Sequence, residues 1–199
     1  MAFSTQLVPT AIAVLSDELG TGDRRGSGRS LASRIAARLR APERAPLLPL
    51  DFSGRGGLAG ALRRWPSSQS AMEGQTPWSV VLLGLEDAAA HLPISWWLSD
   101  AEALVEQLSQ RSARLIVAVP PPVVDGVGDA GSWSTKDVRR WSRRVPTMLA
   151  KLAEARGATI VDLSDFPVGL RADDAWPKDE GLDWIADQIA AAFPSPTAF

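Results

Sequence analysis

The sequence contains no cysteine and no tyrosine, and His91 is its sole histidine. The lack of cysteine excludes disulfides and thiolate metal sites, and it is compatible with a reducing compartment. Any mechanism that uses histidine as a base must therefore use His91. No apolar run reaches the roughly 18–20 residues of a membrane-spanning helix, and we see no signal peptide. We expect a cytoplasmic protein that does not associate with the membrane.

The net charge and the length of the chain further restrict the classes of protein that are possible. The 199 residues carry a net charge of −2, so no overall positive field is available to hold nucleic acid. The length fits one domain of ordinary size. We predict a single domain over residues 1–199 with a frayed tail at residues 195–199. We expect neither a metal nor a cofactor, and the oligomeric state stays open.

Short apolar segments alternate with segments of helical periodicity along the chain. Strands are predicted over residues 10–15, 47–52, 79–83, 115–119 and 159–163, and helices over residues 30–40, 56–65, 99–109, 134–156 and 179–193. Ser99 and Glu102 match a capping box at the start of the third helix. Pro49 favours a sheet edge, and Pro146 should kink or divide the fourth helix. This alternation is typical of a three-layer α/β/α sandwich around a parallel sheet.

Three acidic residues follow predicted strands at the sheet edge where ligands of such folds bind. Glu18 follows the first strand, Glu86 the third and Asp173 the fifth. Three carboxylates in one cleft cannot all ionise comfortably, so at least one should hold a proton near neutral pH. A protonated and an ionised carboxyl side by side make an acid and a base. Two alternatives stay open: neutralisation by arginines such as Arg55 or Arg171, and binding of a divalent cation.

Motifs at the same strand ends resemble those of the SGNH (GDSL-type) hydrolase family. Residues 15–22, LSDELGTG, are similar to the family's L-G-D-S-L-T-x-G block, and residues 83–87, LGLED, to its G-x-N-D block. Residues 51–56, DFSGRG, are similar to the second block, and residues 173–177, DDAWP, to the closing Asp-x-x-His-Pro. The resemblance implies a flavodoxin-like, SGNH-hydrolase-like fold with a five-stranded parallel sheet.

Aligned with those blocks, the chain departs from the family at three of the four residues that name it. Glu18 stands in the slot of the nucleophilic serine, Glu86 in that of the asparagine and Trp176 in that of the histidine. Gly54 takes the place of the glycine whose N–H helps to form the oxyanion hole, and Asp173 is retained. Indole cannot accept a proton, and Glu86 would repel an oxyanion. We therefore predict no conventional serine esterase activity.

Aromatic residues border the predicted cleft. Trp96, Trp133 and Trp176 are predicted to line an apolar ligand pocket, with ordinary core packing as the alternative. For Trp176 the pocket interpretation is favoured. For Trp141 and Trp184, which lie within predicted helices, core packing is favoured.

Polar residues of the same segments complete the candidate set. His91 is interpreted as a proton donor to a ligand or simply as a surface residue, and Arg55 as a partner of the carboxylates. The family's counterpart of Asp17 supports the first loop through hydrogen bonds. Asp87 is expected to cap the turn that follows it.

The leading hypothesis is an enzyme that acts on a small, partly apolar molecule by carboxylate acid–base chemistry. Cyclisation, dehydration and isomerisation are examples of such reactions, as in secondary metabolism. One alternative is a catalytically inactive binding or partner protein on the same scaffold. Another is a residual hydrolase with a carboxylate-activated water.

Overall fold

The computed structural model describes most of the chain with its side chains. The described residues are 10–16, 29–40, 46–54, 57–74, 77–84, 87, 93–121, 135–170 and 177–194, with the backbone alone at residues 135–140 and 142.

Five strands form one parallel sheet in the order β2-β1-β3-β4-β5. The strands are β1 (Ala11–Ser16), β2 (Leu48–Asp51), β3 (Pro77–Leu82), β4 (Arg114–Val119) and β5 (Thr159–Asp162). The described helices are α1 (Leu31–Arg38), α2 (Gly57–Ala71), α3 (Ile94–Ser109), α4 (Thr135–Ala155) and α5 (Asp179–Ala191). This strand order is that of flavodoxin-like folds, so the predicted fold class is confirmed. The edge position predicted for β2 is confirmed as well.

Alternate strand residues face two separate hydrophobic cores, as expected when both faces of a parallel sheet are covered. On β1, Ala13 and Leu15 join the core under α2, α3 and α4, whereas Ile12 and Val14 join the core under α1 and α5. All six residues of β1 and all six of β3 are buried. The three predicted layers are therefore present.

Helix α2 continues through Pro66 to Ala71, although the sequence predicted a helix that ends at residue 65. Proline removes one backbone hydrogen bond from the helix. The inner face of the extra turn is nevertheless buried, because Trp65, Ser68 and Met72 are each at most 5% exposed. The Ser68 hydroxyl also donates to the Arg64 carbonyl at 3.1 Å. Burial of this face therefore stabilises the helix beyond residue 65, although the sequence of this segment is mostly polar.

The capping box predicted at Ser99 is wrong, because α3 begins at Ile94 with Pro93 as its N-cap residue. The Pro93 carbonyl accepts hydrogen bonds from the N–H groups of Trp96 and Trp97, both at 3.1 Å. Trp97 is 2% exposed, so its burial in the core favours an additional helical turn upstream of Ser99.

Pro146 does not divide α4, which runs without interruption from Thr135 to Ala155. Val145 and Leu149, on either side of the proline, are both buried in the core. Their packing holds the two halves of the helix against the sheet.

Ion pairs join α1 to α5 on the face of the sheet away from α2. Arg34, which is 6% exposed, contacts Asp183 at 2.8 Å and Asp179 at 3.2 Å. Arg38 contacts Asp183 at 2.9 Å and also pairs with Asp187. Burial, the largest single influence on the pKa of Asp183, acts to raise it, but hydrogen bonds and charge from Arg34 and Arg38 lower the pKa below its usual value.

Asp183→Asn should lower the free energy of unfolding at pH 7 by about 1 kcal/mol, since the Asp183 side chain is half exposed and screened. A folded-state pKa below the unfolded value stabilises the fold above the unfolded pKa, and this contribution disappears as the pH falls through the folded pKa. The difference between variant and wild type should therefore shrink as the pH drops below about 4. Urea unfolding at several pH values measures this difference in the free energy of unfolding. Asp187→Asn serves as a control with a smaller expected effect, because Asp187 is more exposed. A difference that is constant from pH 7 to pH 3 would contradict this assignment.

Candidate functional site

The carboxyl ends of β1 and β2 are joined by a compact set of polar contacts. Ser16, the last residue of β1, is fully buried, and its hydroxyl donates to the Ser53 hydroxyl at 2.6 Å. The Ser53 N–H donates to a carboxylate oxygen of Asp51 at 2.9 Å. The N–H of Gly54 donates to the Ser16 carbonyl at 3.2 Å. The two strand exits are therefore held in one fixed arrangement.

The side chain of Arg64, in α2, also connects the carboxyl ends of β1 and β2. Its guanidinium donates to the carbonyls of Phe52 at 3.1 Å, Gly54 at 3.2 Å and Ser16 at 3.3 Å. A Cβ atom at residue 54 would lie only 3.1 Å from the nearer guanidinium nitrogen of Arg64. A glycine at this position therefore allows the arginine to approach the backbone closely. Nothing in the sequence singled out Arg64, because its three acceptors come from two distant strand ends.

The exit of β3 is anchored by the buried carboxylate of Asp87, which is 2% exposed. Both of its oxygens accept the N–H of Leu58, each at 3.0 Å. The indole N–H of Trp97 donates to the same carboxylate at 2.8 Å. Asp87 was expected to cap its own following turn. That turn lies outside the described residues. Within them, the carboxylate caps the first turn of α2, where the helix dipole and free N–H groups favour a negative charge.

Gly57 is required at the start of α2 by this buried carboxylate. Its φ of +52° lies in the left-handed region, which side chains other than glycine rarely adopt. A Cβ at this position would lie 2.6 Å from the carboxyl carbon of Asp87. The sequence showed the glycine-rich turn at residues 54–57 but not the reason for it, since Asp87 is thirty residues further along the chain.

Of the ten residues predicted for the site, the structure describes Gly54 and Trp96. The others lie outside the described residues; they are Asp17, Glu18, Arg55, Glu86, His91, Trp133, Asp173 and Trp176. The Gly54 N–H is engaged by the Ser16 carbonyl, so a role in an oxyanion hole would require that hydrogen bond to open.

The adjacent tryptophans of α3 have opposite environments. Trp96 is 73% exposed in the first turn of the helix, whereas Trp97 packs edge-on against Trp141 with ring centroids 5.4 Å apart. Trp141 is buried, and Trp184 packs edge-on against Phe166, so core packing is confirmed for the two helical tryptophans. Because helices of a parallel α/β fold begin at the carboxyl edge of the sheet, Trp96 lies on the side of the predicted site.

A small apolar cavity of about 10 Å³ lies between the sheet and α3, lined by Leu58, Val81, Trp97 and Val117 among others. A cavity of this size has room for one water molecule at most, so it is a packing gap of the core and not a ligand pocket.

Within the described ranges, no cluster of three or more metal-ligating side chains is present. In the same part of the chain, no helix is long and apolar enough to cross a membrane.

The comparisons with known proteins agree with this architecture. Residues 15–195 match the model of the GDSL-like lipase/acylhydrolase family, so the chain belongs to that family. No curated protein sequence matches the chain.

Solved structures share the fold over nearly the whole chain. An alpha/beta hydrolase from the metagenome of Lake Arreo, Spain, is 14% identical with a TM-score of 0.73, covering 94% of this chain and 96% of the other. The psychrotrophic esterase EstA from a Pseudoalteromonas species is 17% identical with a TM-score of 0.69, covering 92% and 96%. An acetylxylan esterase from Geobacillus stearothermophilus is 14% identical with a TM-score of 0.64, covering 96% and 97%. At these identities the likeness establishes the fold and not the reaction.

Gly57→Ala should destabilise the protein by about 2–4 kcal/mol, because the new methyl group adds a clash with Asp87 to the cost of left-handed backbone. Gly157→Ala is a matched control, since Gly157 has a φ of +63° and no atom near the position of its missing Cβ. The control should lose only about 1–2 kcal/mol. Chemical denaturation measures both variants. Equal losses would show that the contact with Asp87 carries no energy.

Proposed function

We propose that this chain is a member of the GDSL-like family that acts on a small, partly apolar molecule by carboxylate acid–base chemistry. In this proposal Glu18, Glu86 and Asp173 exchange protons with the ligand, and Ser-His acyl transfer is absent. Isomerisation, dehydration and cyclisation are the reaction types that such a set of carboxylates can promote.

The observation that carries the proposal is the pairing of β1 with β3. Ser16, the last residue of β1, is in register with Leu82, the last residue of β3. Glu18 follows two residues after Ser16, and Glu86 four residues after Leu82. The two segments that carry these glutamates therefore start side by side, at the edge of the sheet where ligands of this fold class bind.

The proposal that this chain has no nucleophilic serine is supported by Ser16 and Ser53, the serines nearest to Glu18. A nucleophilic serine needs an accessible hydroxyl activated by a base. Ser16 is fully buried, and its hydroxyl is donated to Ser53. The pair is better suited to holding β1 and β2 together than to attacking a substrate.

The partly apolar nature of the ligand is supported by Trp96. An indole that is 73% exposed at the start of α3 offers a flat apolar surface beside the exit of β3. Small-molecule sites are commonly lined by such aromatic groups together with a few polar ones. Trp176, which takes the place of the family's histidine, is proposed as a second wall of the same pocket.

Family membership favours a second candidate, a hydrolase in which a carboxylate activates water. Glu18 would then act as a general base on water in place of a serine nucleophile. This candidate differs from the first in one measurable respect, because it produces hydrolysis that does not pass through a covalent serine intermediate.

The purified protein should not hydrolyse p-nitrophenyl acetate or butyrate above its heat-denatured control, and a serine-directed fluorophosphonate should not label it. The physical reason is the lack of an activated serine in the proposed site. Stopped assays and intact-protein mass spectrometry provide the measurements. Labelling of Ser16 or Ser53 at one equivalent would overturn the proposal. Hydrolysis without labelling, abolished by Glu18→Gln, would instead select the water-activating candidate.

Glu18→Gln and Glu86→Gln should each keep or raise the melting temperature, since neutralising one of several neighbouring carboxylates relieves their repulsion. Differential scanning calorimetry at pH 7 measures the change, with the exposed Glu154→Gln on α4 as a control of equal charge. A clear loss of stability in both site variants, but not in the control, would instead indicate ion pairs with Arg55 or Arg171.

A further inference from the structure

We propose that the Ser53 hydroxyl donates a hydrogen bond to the ligand, and that the atom it binds is a neutral carbonyl oxygen. The neutrality of the ligand rests on the proposed function. The role of Ser53 as a donor rests on a difference between two turns at the carboxyl edge of the sheet. Ser53 binds the ligand in this proposal and forms no covalent bond to it.

The turns that follow β2 and β5 share one sequence pattern, Asp-x-Ser, and one backbone hydrogen bond. In the first turn, the Ser53 N–H donates to a carboxylate oxygen of Asp51 at 2.9 Å. In the second turn, the Ser164 N–H donates to the corresponding oxygen of Asp162, also at 2.9 Å. An aspartate that accepts the N–H two residues later is a common way to close a turn. The two serines therefore occupy equivalent backbone positions.

The hydroxyl groups of these two serines have different partners. Ser164 donates its hydroxyl hydrogen to Asp162 at 2.6 Å, so that hydrogen is used within the turn. Ser53 instead accepts the hydroxyl hydrogen of Ser16 at 2.6 Å. Among the residues that the structure describes, none accepts the hydroxyl hydrogen of Ser53. Because a serine hydroxyl has one hydrogen to donate, that of Ser53 is available to a ligand.

The position of Ser53 is fixed by its two neighbours along the chain. The N–H groups of Phe52 and Gly54 donate to carbonyls of β1 at 2.9 and 3.2 Å. The carbonyls of the same two residues accept hydrogen bonds from Arg64. A donor that is held in place before binding loses little conformational entropy when the ligand arrives. The hydrogen bond from Ser16 also polarises the Ser53 hydroxyl, which makes it a stronger donor.

This donor lies beside the point of the sheet at which flavodoxin-like proteins bind ligands. The strand order β2-β1-β3-β4-β5 reverses direction at β1 and β3, and ligands of such folds bind outside the strand ends at this point. Ser53 contacts Ser16, the last residue of β1. Ser16 is fully buried whereas Ser53 is half-buried, so the outer of the two hydroxyls is the one that a ligand can reach.

The chemical class of the ligand atom follows from the donor and from the charges proposed for the site. A hydroxyl donor requires an oxygen or nitrogen acceptor. Glu18, Glu86 and Asp173, the carboxylates of the proposed function, would repel an anionic ligand. A neutral carbonyl oxygen meets both conditions. The ligand is therefore a partly apolar carbonyl compound whose oxygen binds to Ser53.

Neutron diffraction from crystals exchanged into heavy water tests the directions of the two hydroxyl groups. We expect the deuterium of Ser16 to point at the Ser53 oxygen, as the hydrogen bond in the structure requires. The deuterium of Ser53 should point away from both Ser16 and Asp51. A Ser53 deuterium directed at either of these side chains would overturn the inference.

A pair of probes of nearly equal shape tests binding. Cyclohexanone presents a carbonyl oxygen, whereas methylenecyclohexane has no hydrogen-bond acceptor in its place. Titrations followed through the amide nuclear magnetic resonance signal of Gly54 give the dissociation constant of each probe. We expect cyclohexanone to bind about three- to tenfold more tightly than methylenecyclohexane, and Ser53→Ala to remove this difference. Equal affinities in the wild type, or no response of Gly54 to cyclohexanone, would contradict the proposal.

Two further variants separate the hydroxyl group from the turn that holds it. Ser53→Thr keeps a hydroxyl and should retain the preference for cyclohexanone. Ser164→Ala is the matched control, since it alters the equivalent turn, whose hydroxyl hydrogen is already bound to Asp162. The control should keep the affinity of the wild type, and a loss equal to that of Ser53→Ala would refute a specific role for Ser53. The two wild-type measurements decide the matter even if Ser53→Ala does not fold.

None of these measurements requires turnover. A protein that binds cyclohexanone through Ser53 but converts no carbonyl compound would contradict the proposed function and leave the role of Ser53 intact. Conversely, turnover that depends on Glu18 in a protein whose affinity for cyclohexanone is unchanged by Ser53→Ala would overturn this inference alone.

Discussion

The burial of the Asp87 carboxylate is the constraint on which the candidate site is built. A charge that is 2% exposed is tolerated only when hydrogen-bond donors surround it, and the chain provides them from two helices. The first turn of α2 supplies the Leu58 N–H, and the first turn of α3 supplies the Trp97 indole. Gly57 must be a glycine because no side chain fits beside that carboxylate. The starting points of both helices and the exit of β3 thus depend on one acidic side chain.

A second, cationic centre organises the neighbouring strand exits. Arg64 gathers carbonyls from the ends of β1 and β2, and the hydroxyls of Ser16 and Ser53 complete the connection. The carboxyl edge of the sheet therefore contains a fixed cation near β1 and a fixed anion near β3.

Membership of the GDSL-like lipase/acylhydrolase family establishes the scaffold but not the reaction. The structural relatives include esterases, yet at 14–17% identity they share with this chain the arrangement of strands and helices. The proposed replacement of serine and histidine by Glu18 and Trp176 would retain that scaffold and the position of the cleft while changing the groups that face the ligand. The acidic and aromatic residues of the loops, not the sheet, would then define the ligand.

The sequence by itself determined the fold class, the number of strands and the edge position of β2. Apolar periodicity and the positions of prolines are properties of short segments, so the strands that they predict do not depend on distant contacts. It also determined which acidic residues follow which strands, since that is a matter of order along the chain. Only the tertiary structure decided where α2 ends and where α3 begins, because burial of Met72 and Trp97 outweighed local signals at Pro66 and Ser99. The same holds for the partners of Asp87 and Arg64. Their hydrogen bonds join residues ten to nearly fifty positions apart, and no local pattern encodes a contact that exists only after the strands have assembled.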